Sequence, residues 1–208
     1  MMEKIDIVPR TLLKFSMDSE LLESTLELVS QEKFLPGVKN QISQNYFLLR
    51  EERYKKLDDW INSCLEEIQL DLNFCCDSLK ITQSWANLTK KNQFHHPHIH
   101  PNSLLSGIIY LTESDGSTIF GFTSDWYFTS DDDSNHSIKV SFDSEKSVKF
   151  YRHKVVPGDM IVFPSNYRHS TELHSLDTHD RISISFNVFP NGKIGIFENL
   201  AGLEIEVK

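Results

Sequence analysis

Four histidines fall within six positions, His95, His96, His98 and His100, and an apolar run, LLSGIIYL, follows closely behind them. Neutral imidazole is the commonest metal ligand in proteins, so the cluster is first of all a metal hypothesis. His98 and His100 stand two apart, and on an extended backbone side chains two apart share a face, so one ion can touch both rings. The chain has nine histidines, and a loop histidine commonly does no more than face water. What adds weight is a downstream segment, VVPGDMIVFPSNYRHS followed by RISISFNVF, which brings His169 and then Arg181 and Ser183. In the last run Ile182, Ile184, Phe186 and Val188 alternate with Arg181, Ser183, Ser185 and Asn187, which gives that strand one polar face. Arg with Ser two residues on suits the clamping of a buried carboxylate, because guanidinium binds both oxygens in its plane and the hydroxyl adds a donor. The plain alternative is a solvent-facing strand with an ordinary arginine.

These residues need a scaffold, and the pattern of the chain supplies one. KIDIVPRTLLKF, residues 4 to 15, reads as an edge strand or extended arm around Pro9. Met17-Asp18-Ser19 offers N-cap candidates for a helix in which Leu21, Leu22, Leu26 and Val29 recur at helical spacing, ending near Gln31. A second helix is predicted over 49 to 71, where Leu57, Trp60, Ile61, Cys64, Leu65, Ile68 and Leu72 form an apolar stripe that packs on a sheet. From about residue 78 the period changes to two. LKITQSWANLT, LLSGIIYLT, STIFGF, IKVSF, SVKFYRHKVV, DMIVFP and RISISFNVF are short β-rich runs separated by turn residues, which predicts a sandwich or barrel. Asp131 to Asn135 reads as a solvated acidic loop. Pro190-Asn191-Gly192-Lys193 reads as a hairpin turn, with IGIF and LEIEV as short edge strands. The expected organisation is an N-terminal arm and helices over 1–78, a β core over 79–190 and a C-terminal hairpin or edge segment over 191–208.

Length and charge bound the function. The chain of 208 residues suits one domain with an N-terminal extension. A net charge of −9, with no basic run beyond Lys90-Lys91, argues against binding to nucleic-acid backbone or an anionic membrane. Cys64, Cys75 and Cys76 form neither a disulfide framework nor a C-x-x-C pair, and are expected as buried thiols in a reducing cytoplasm. No apolar run has the length of a signal peptide or a membrane span.

Taken together, the residues resemble the 2-oxoglutarate/iron(II)-dependent oxygenases, whose pattern is H-x-D/E, a distal His, and an Arg-x-Ser further on. The closer likeness is to small oxygenases of bacteria and phages that carry W-x-N, H-x-H-P-N-S, L-S-G-x-x-Y and F-P-S before the distal His. Here those read Trp85-Ala86-Asn87, His98-Ile99-His100-Pro101-Asn102-Ser103, Leu105-Ser106-Gly107-Ile108-Ile109-Tyr110 and Phe163-Pro164-Ser165. The resemblance covers about residues 83 to 190. It implies a mainly β double-stranded β-helix, a jelly roll of the cupin kind, with N-terminal helices packed on it and the metal at the open end of the barrel. It also implies an enzyme that uses Fe(II), 2-oxoglutarate as cosubstrate and O2, and that hydroxylates a substrate with release of succinate and CO2. Catalytic residues would be His98, His169 and Arg181. Arg181 and Ser183 would take the far carboxylate of 2-oxoglutarate, with Asn87 and Tyr110 as further contacts.

One departure matters. Where the family has Asp or Glu, this chain has His100, so either imidazole replaces the acidic ligand, from His100 or from His95 or His96 as its substitute, or the acidic ligand comes from elsewhere, or His100 turns away and leaves a two-histidine site. Two other readings stand beside the oxygenase. One is a non-catalytic, metal-stabilised barrel that binds a small molecule or a protein. The other is a zinc hydrolase or isomerase, since H-x-H also opens H-x-H-x-D-H; this chain lacks the Asp-His and any β-α alternation. The substrate, a small molecule or a peptide, would be chosen by loops such as 122–136 and by the N-terminal extension.

Overall fold

Strand alternation and helical spacing both carry over into the folded chain. The computed structural model describes residues 11–121, 150–199 and 201–207. β1 (Leu13–Ser16) leads to α1 (Ser19–Ser30), whose N-cap Asp18 accepts the Leu21 N–H at 2.8 Å. β2 (Phe34–Pro36) and β3 (Gln41–Ser43) form a hairpin, and α2 (Lys55–Asp71) follows. Then come β4 (Cys76–Thr89), β5 (Leu105–Tyr110), β6 (Thr118–Gly121), β7 (Phe150–His153), β8 (Asp159–Pro164), β9 (Arg168–Thr171), β10 (Arg181–Ile194) and β11 (Leu203–Ile205). The acidic run 131–135, the loop 122–136, the run IKVSF and residues 4–10 of the arm lie outside the described residues. Among the described residues, no helix is long and apolar enough to cross a membrane.

The strands form two antiparallel sheets, and the fold is a double-stranded β-helix. The larger sheet runs β1-β8-β5-β10-β4-β3-β2 with β11 beside β10, and the smaller runs β7-β6-β9. Alternation divides each central strand between two cores. On β5 and β8, Ile108, Tyr110, Ile161 and Phe163 meet Phe120 of β6 between the sheets. Their neighbours Leu105, Ile109, Met160 and Val162 join Ile184 and Phe186 of β10 in a core that reaches the helices. Gly107 is required in that second layer: a Cβ there would lie 2.1 Å from Cζ of Phe186.

α2 buries Leu57, Ile61, Cys64, Leu65 and Ile68 in this outer core, each apolar side chain contributing on the order of 1.5–3 kcal/mol. Trp60 only packs against its edge, and Leu72 is 43% exposed. The helix starts at residue 55, later than the stripe predicts, because Leu48–Arg50 and Glu52–Tyr54 wind as 3-10 turns. The amides of Arg50 and Glu51 bond three residues back, to Phe47 and Leu48. The Leu49 amide is taken by Ser84 Oγ at 2.9 Å, and Glu51 is extended.

Three further differences from the expected organisation are seen. Residues 190–193 are not a hairpin turn: β10 continues through them, and Gly192, at φ +79°, sits at a register shift that lets the strand stay paired with β4 on one side and β11 on the other. The N-terminal segment contributes strands as well as helices, with β1 pairing β8 and β3 pairing β4, and β4 and β10 run through residues 79 and 190. Of the three free cysteines only Cys64 is buried, while Cys75 is exposed.

Candidate active site

β9 carries His169 on the smaller sheet, and the segment holding His98 and His100 lies alongside it. His98 and His169 exchange both backbone hydrogen bonds at 3.0 Å, and the His100 N–H donates to Ser165 O at 2.9 Å. Asn102 turns the chain at φ +58°, a conformation asparagine tolerates better than most residues. The separate sequence motifs then meet in one hydrogen-bonded chain. Ser165 Oγ donates to Ser103 Oγ at 2.9 Å and lies 2.8 Å from Ser106 Oγ, which donates to Asn187 Oδ1 at 3.1 Å. These bonds pin the histidine segment to the ends of β5, β8 and β10.

The result is a cluster in which one ligand atom from each of His98, His100 and His169 lies within 4.8 Å of the others. The Nδ1–H of His98 donates to His96 O at 2.8 Å, and that of His169 to Tyr167 O at 2.9 Å, which leaves both Nε2 lone pairs free for a metal. Nε2 of His100 is 3.2 Å from Nε2 of His169. Two nitrogens each ~2.1 Å from one ion, at right angles, would stand about 3.0 Å apart, so the spacing fits a shared ion. Burial and the charge of His98 push His169 down to about 2 and His100 down to about 4, and burial lowers His98. All three rings are therefore neutral near pH 7. His95, pushed down to about 3 chiefly by burial, stacks on His98 with ring centroids 4.4 Å apart and, like His96, stands outside the three-histidine group.

Next to this cluster β4 and β10 present paired polar rows to one cavity. Arg181 faces Thr89, Ser183 faces Asn87 and Ser185 faces Trp85, and all six line it with the histidines. Arg181 is 3% exposed. Its guanidinium donates to Gly116 O at 3.0 Å and Thr118 Oγ1 at 2.9 Å and lies 5.7 Å from the centre of the Tyr110 ring. Among the described residues no carboxylate pairs with it, and burial lowers its pKa from the usual arginine value. Two further polar atoms on the cavity's residues are buried without partners, Asn40 Nδ2 and Asn87 Oδ1. A buried lone cation and an unused donor suit an acidic ligand rich in acceptors. The cavity is narrow, about 30 Å³, so a diacid enters only as the surrounding side chains give way. Tyr110 does not line it: its hydroxyl donates to Thr118 Oγ1 at 2.9 Å, and its ring lies beneath Arg181.

A family model described as "Putative 2OG-Fe(II) oxygenase" matches residues 83–187, half of the chain. The chain belongs to this family. No curated protein matches the sequence. Solved structures share the fold of this 2OG-Fe(II) oxygenase. A prolyl-4-hydroxylase of Pseudomonas putida has a TM-score of 0.61 at 14% identity, covering 88% of this chain and 94% of its own. An oxidoreductase of the 2OG-Fe(II) oxygenase family from Burkholderia pseudomallei has 0.61 at 12%, covering 85% and 83%. HygX of Streptomyces hygroscopicus, solved with nickel, 2-oxoglutarate and hygromycin B, has 0.59 at 12%, covering 87% and 83%. The family's cofactors are iron(II) and 2-oxoglutarate, with O2 as the oxidant, and the donor set of this oxygenase fits them: three neutral imidazoles for iron, and a buried guanidinium with hydroxyls and amides for a dicarboxylate. Thr89 was within reach of sequence reasoning, since it continues the alternation Trp85, Asn87 on β4. Asn40 was not, because only the folding of β3 against β4 brings it to the cavity.

Proposed function

We propose that the protein holds iron(II) through His98, His100 and His169, binds 2-oxoglutarate with its distal carboxylate on Arg181 and Ser183, and hydroxylates a small-molecule or peptide substrate with release of succinate and CO2. The observation that carries this reading is the guanidinium of Arg181, buried in a cavity beside three histidines without an acid to pair with. Burying an unpaired cation costs several kcal/mol, a cost that a bound carboxylate offsets. Free thiols and a strongly acidic net charge suit work in the cytoplasm on a substrate other than nucleic acid.

Bound together, iron and 2-oxoglutarate supply the activation of O2. The protein's residues do the rest. Thr118 Oγ1 accepts from both the Arg181 guanidinium and the Tyr110 hydroxyl, and with the Tyr110 ring it holds the guanidinium at the cavity wall. Asn87 donates to Ser185 Oγ at 2.9 Å, which fixes its side chain at the cavity wall. Phe163 and Phe120, from the core between the sheets, pack on His169 with ring centroids 4.7 and 6.0 Å away and hold its ring in place.

Arg181→Ala tests this directly. In calorimetry on zinc-loaded protein, affinity for 2-oxoglutarate should fall at least a hundredfold while zinc stoichiometry stays at that of the parent. Unchanged affinity would remove the cosubstrate assignment. With iron and air, the parent should release succinate in step with 2-oxoglutarate consumed. Binding without any succinate would make it a binding module instead.

A further inference from the structure

A second cavity opens onto the same histidines from the solvent side. It measures about 280 Å³ and is walled by Ile42, Tyr46, Gln83 and Trp85, with His95, His98 and His100 at its base. Trp85 borders both cavities, its ring stacked within 26° of His100 at a centroid distance of 5.8 Å. Ile42 stands on β3, paired with Asn87, and Tyr46 is held beside β4 by the bond from Ser84 N–H to its own carbonyl at 2.9 Å. Tyr46 is 49% exposed, so its ring is available to a ligand.

Four features decide what such a cavity takes. Two of the three candidate metal ligands, His98 and His100, line it together with His95, so an occupant would lie beside an iron held by those rings. Among the described residues no acid, lysine or arginine lines it, and the dianionic cosubstrate would offset the +2 of a metal held by three neutral histidines, so a charged group entering would lose its hydration and gain no counter-ion. Its walls are two aromatic rings and a branched aliphatic side chain, surfaces that pack on a flat apolar face, with the Gln83 amide and Tyr46 hydroxyl left for one neutral polar group. The volume falls just below the roughly 300–1,000 Å³ of whole-ligand sites, room for one ring and not for a large molecule.

We propose that this is the substrate site and that it selects an uncharged ring carrying a neutral hydrogen-bonding group. The inference rests on the iron and 2-oxoglutarate reading above. Ile42 and Tyr46 lie outside residues 83–187, the residues matched by the family model.

Three probes share one ring and differ in charge: benzamide, benzoate and benzylammonium. Ligand-observed NMR on the full chain loaded with zinc and 2-oxoglutarate should give benzamide an affinity at least tenfold above both charged probes. Tyr46→Ala and Ile42→Asp should each weaken benzamide tenfold, and Tyr46→Phe should retain most of its binding. Equal binding of the charged probes, no binding of benzamide, or benzamide binding that survives both Tyr46→Ala and Ile42→Asp would overturn the proposal. Calorimetry of 2-oxoglutarate on the same samples separates the two readings: its loss in the parent protein would overturn the cosubstrate site, whereas intact cosubstrate binding with any of those probe results overturns the substrate site alone.

Discussion

His100 occupies the place where the family pattern has a carboxylate, and its ring lies within 3° of parallel to His169 at a centroid distance of 5.0 Å. Three imidazoles would leave bound iron(II) with its full +2 charge, against +1 beside a carboxylate. Two unit charges 4 Å apart at an effective dielectric near 20 interact by about 4 kcal/mol, so the extra charge strengthens the hold on a dianionic cosubstrate. His100→Asp should therefore retain turnover and weaken 2-oxoglutarate by at least about tenfold, measured by calorimetry. The same histidines set a pH dependence. Their folded values lie below the ordinary 6.5, so under that pH the unfolded chain takes up protons that the folded chain refuses. Stability of the metal-free protein is full above pH 6.5 and falls as pH drops from there toward about 2, the lowest of the folded values. A melting temperature lower at pH 5 than at pH 7, by roughly 5 °C or more, is expected, and a flat profile would contradict the burial of neutral rings. At this scale the sequence was informative where chemistry comes in short motifs, as with His98, His100, His169 and Arg181. It was silent on Asn40, Ile42 and Tyr46, whose side chains reach the site only through strand pairing.

At the scale of elements, β10 was legible because every second residue is apolar, and its polar face did turn inward. The helical stripe of α2 was equally legible, but its ends were not: the stripe says which face is buried and nothing about where i−3 bonding replaces i−4. Ile61 is fully buried at the centre of that stripe, whereas Trp60 is peripheral. Ile61→Ala should cost about 2–5 kcal/mol in denaturant unfolding, and Trp60→Ala distinctly less. The reverse order would mean that the helix presents another face to the sheet. Gly107→Ala tests the contact between β5 and β10. With no room beside Phe186, the added methyl should destabilise by about 1–3 kcal/mol, although a glycine-to-alanine change in a strand is favourable where space allows.

At the scale of the whole molecule, the double-stranded β-helix explains why residues so far apart in sequence work together. Pairing of β10 with both β4 and β5 sets Arg181, Ser183 and Ser185 against Asn87 and Trp85, while the bridge between His98 and His169 closes one end of the two sheets. Many short strands could be read from β-rich runs between turn residues, but β2, β3 and the order of the strands could not, since pairing is long-range and no local pattern encodes it. The central claim is that this geometry gathers one iron(II) on three histidines with 2-oxoglutarate beside it. Anaerobic titration of iron(II) into protein with 2-oxoglutarate, followed by visible absorption, tests it most directly. The account predicts a charge-transfer band of the iron–2-oxoglutarate chelate that saturates at one iron per chain and is abolished by His98→Ala or His169→Ala. No band at saturating iron and 2-oxoglutarate, or a band of full intensity in either variant, would contradict it.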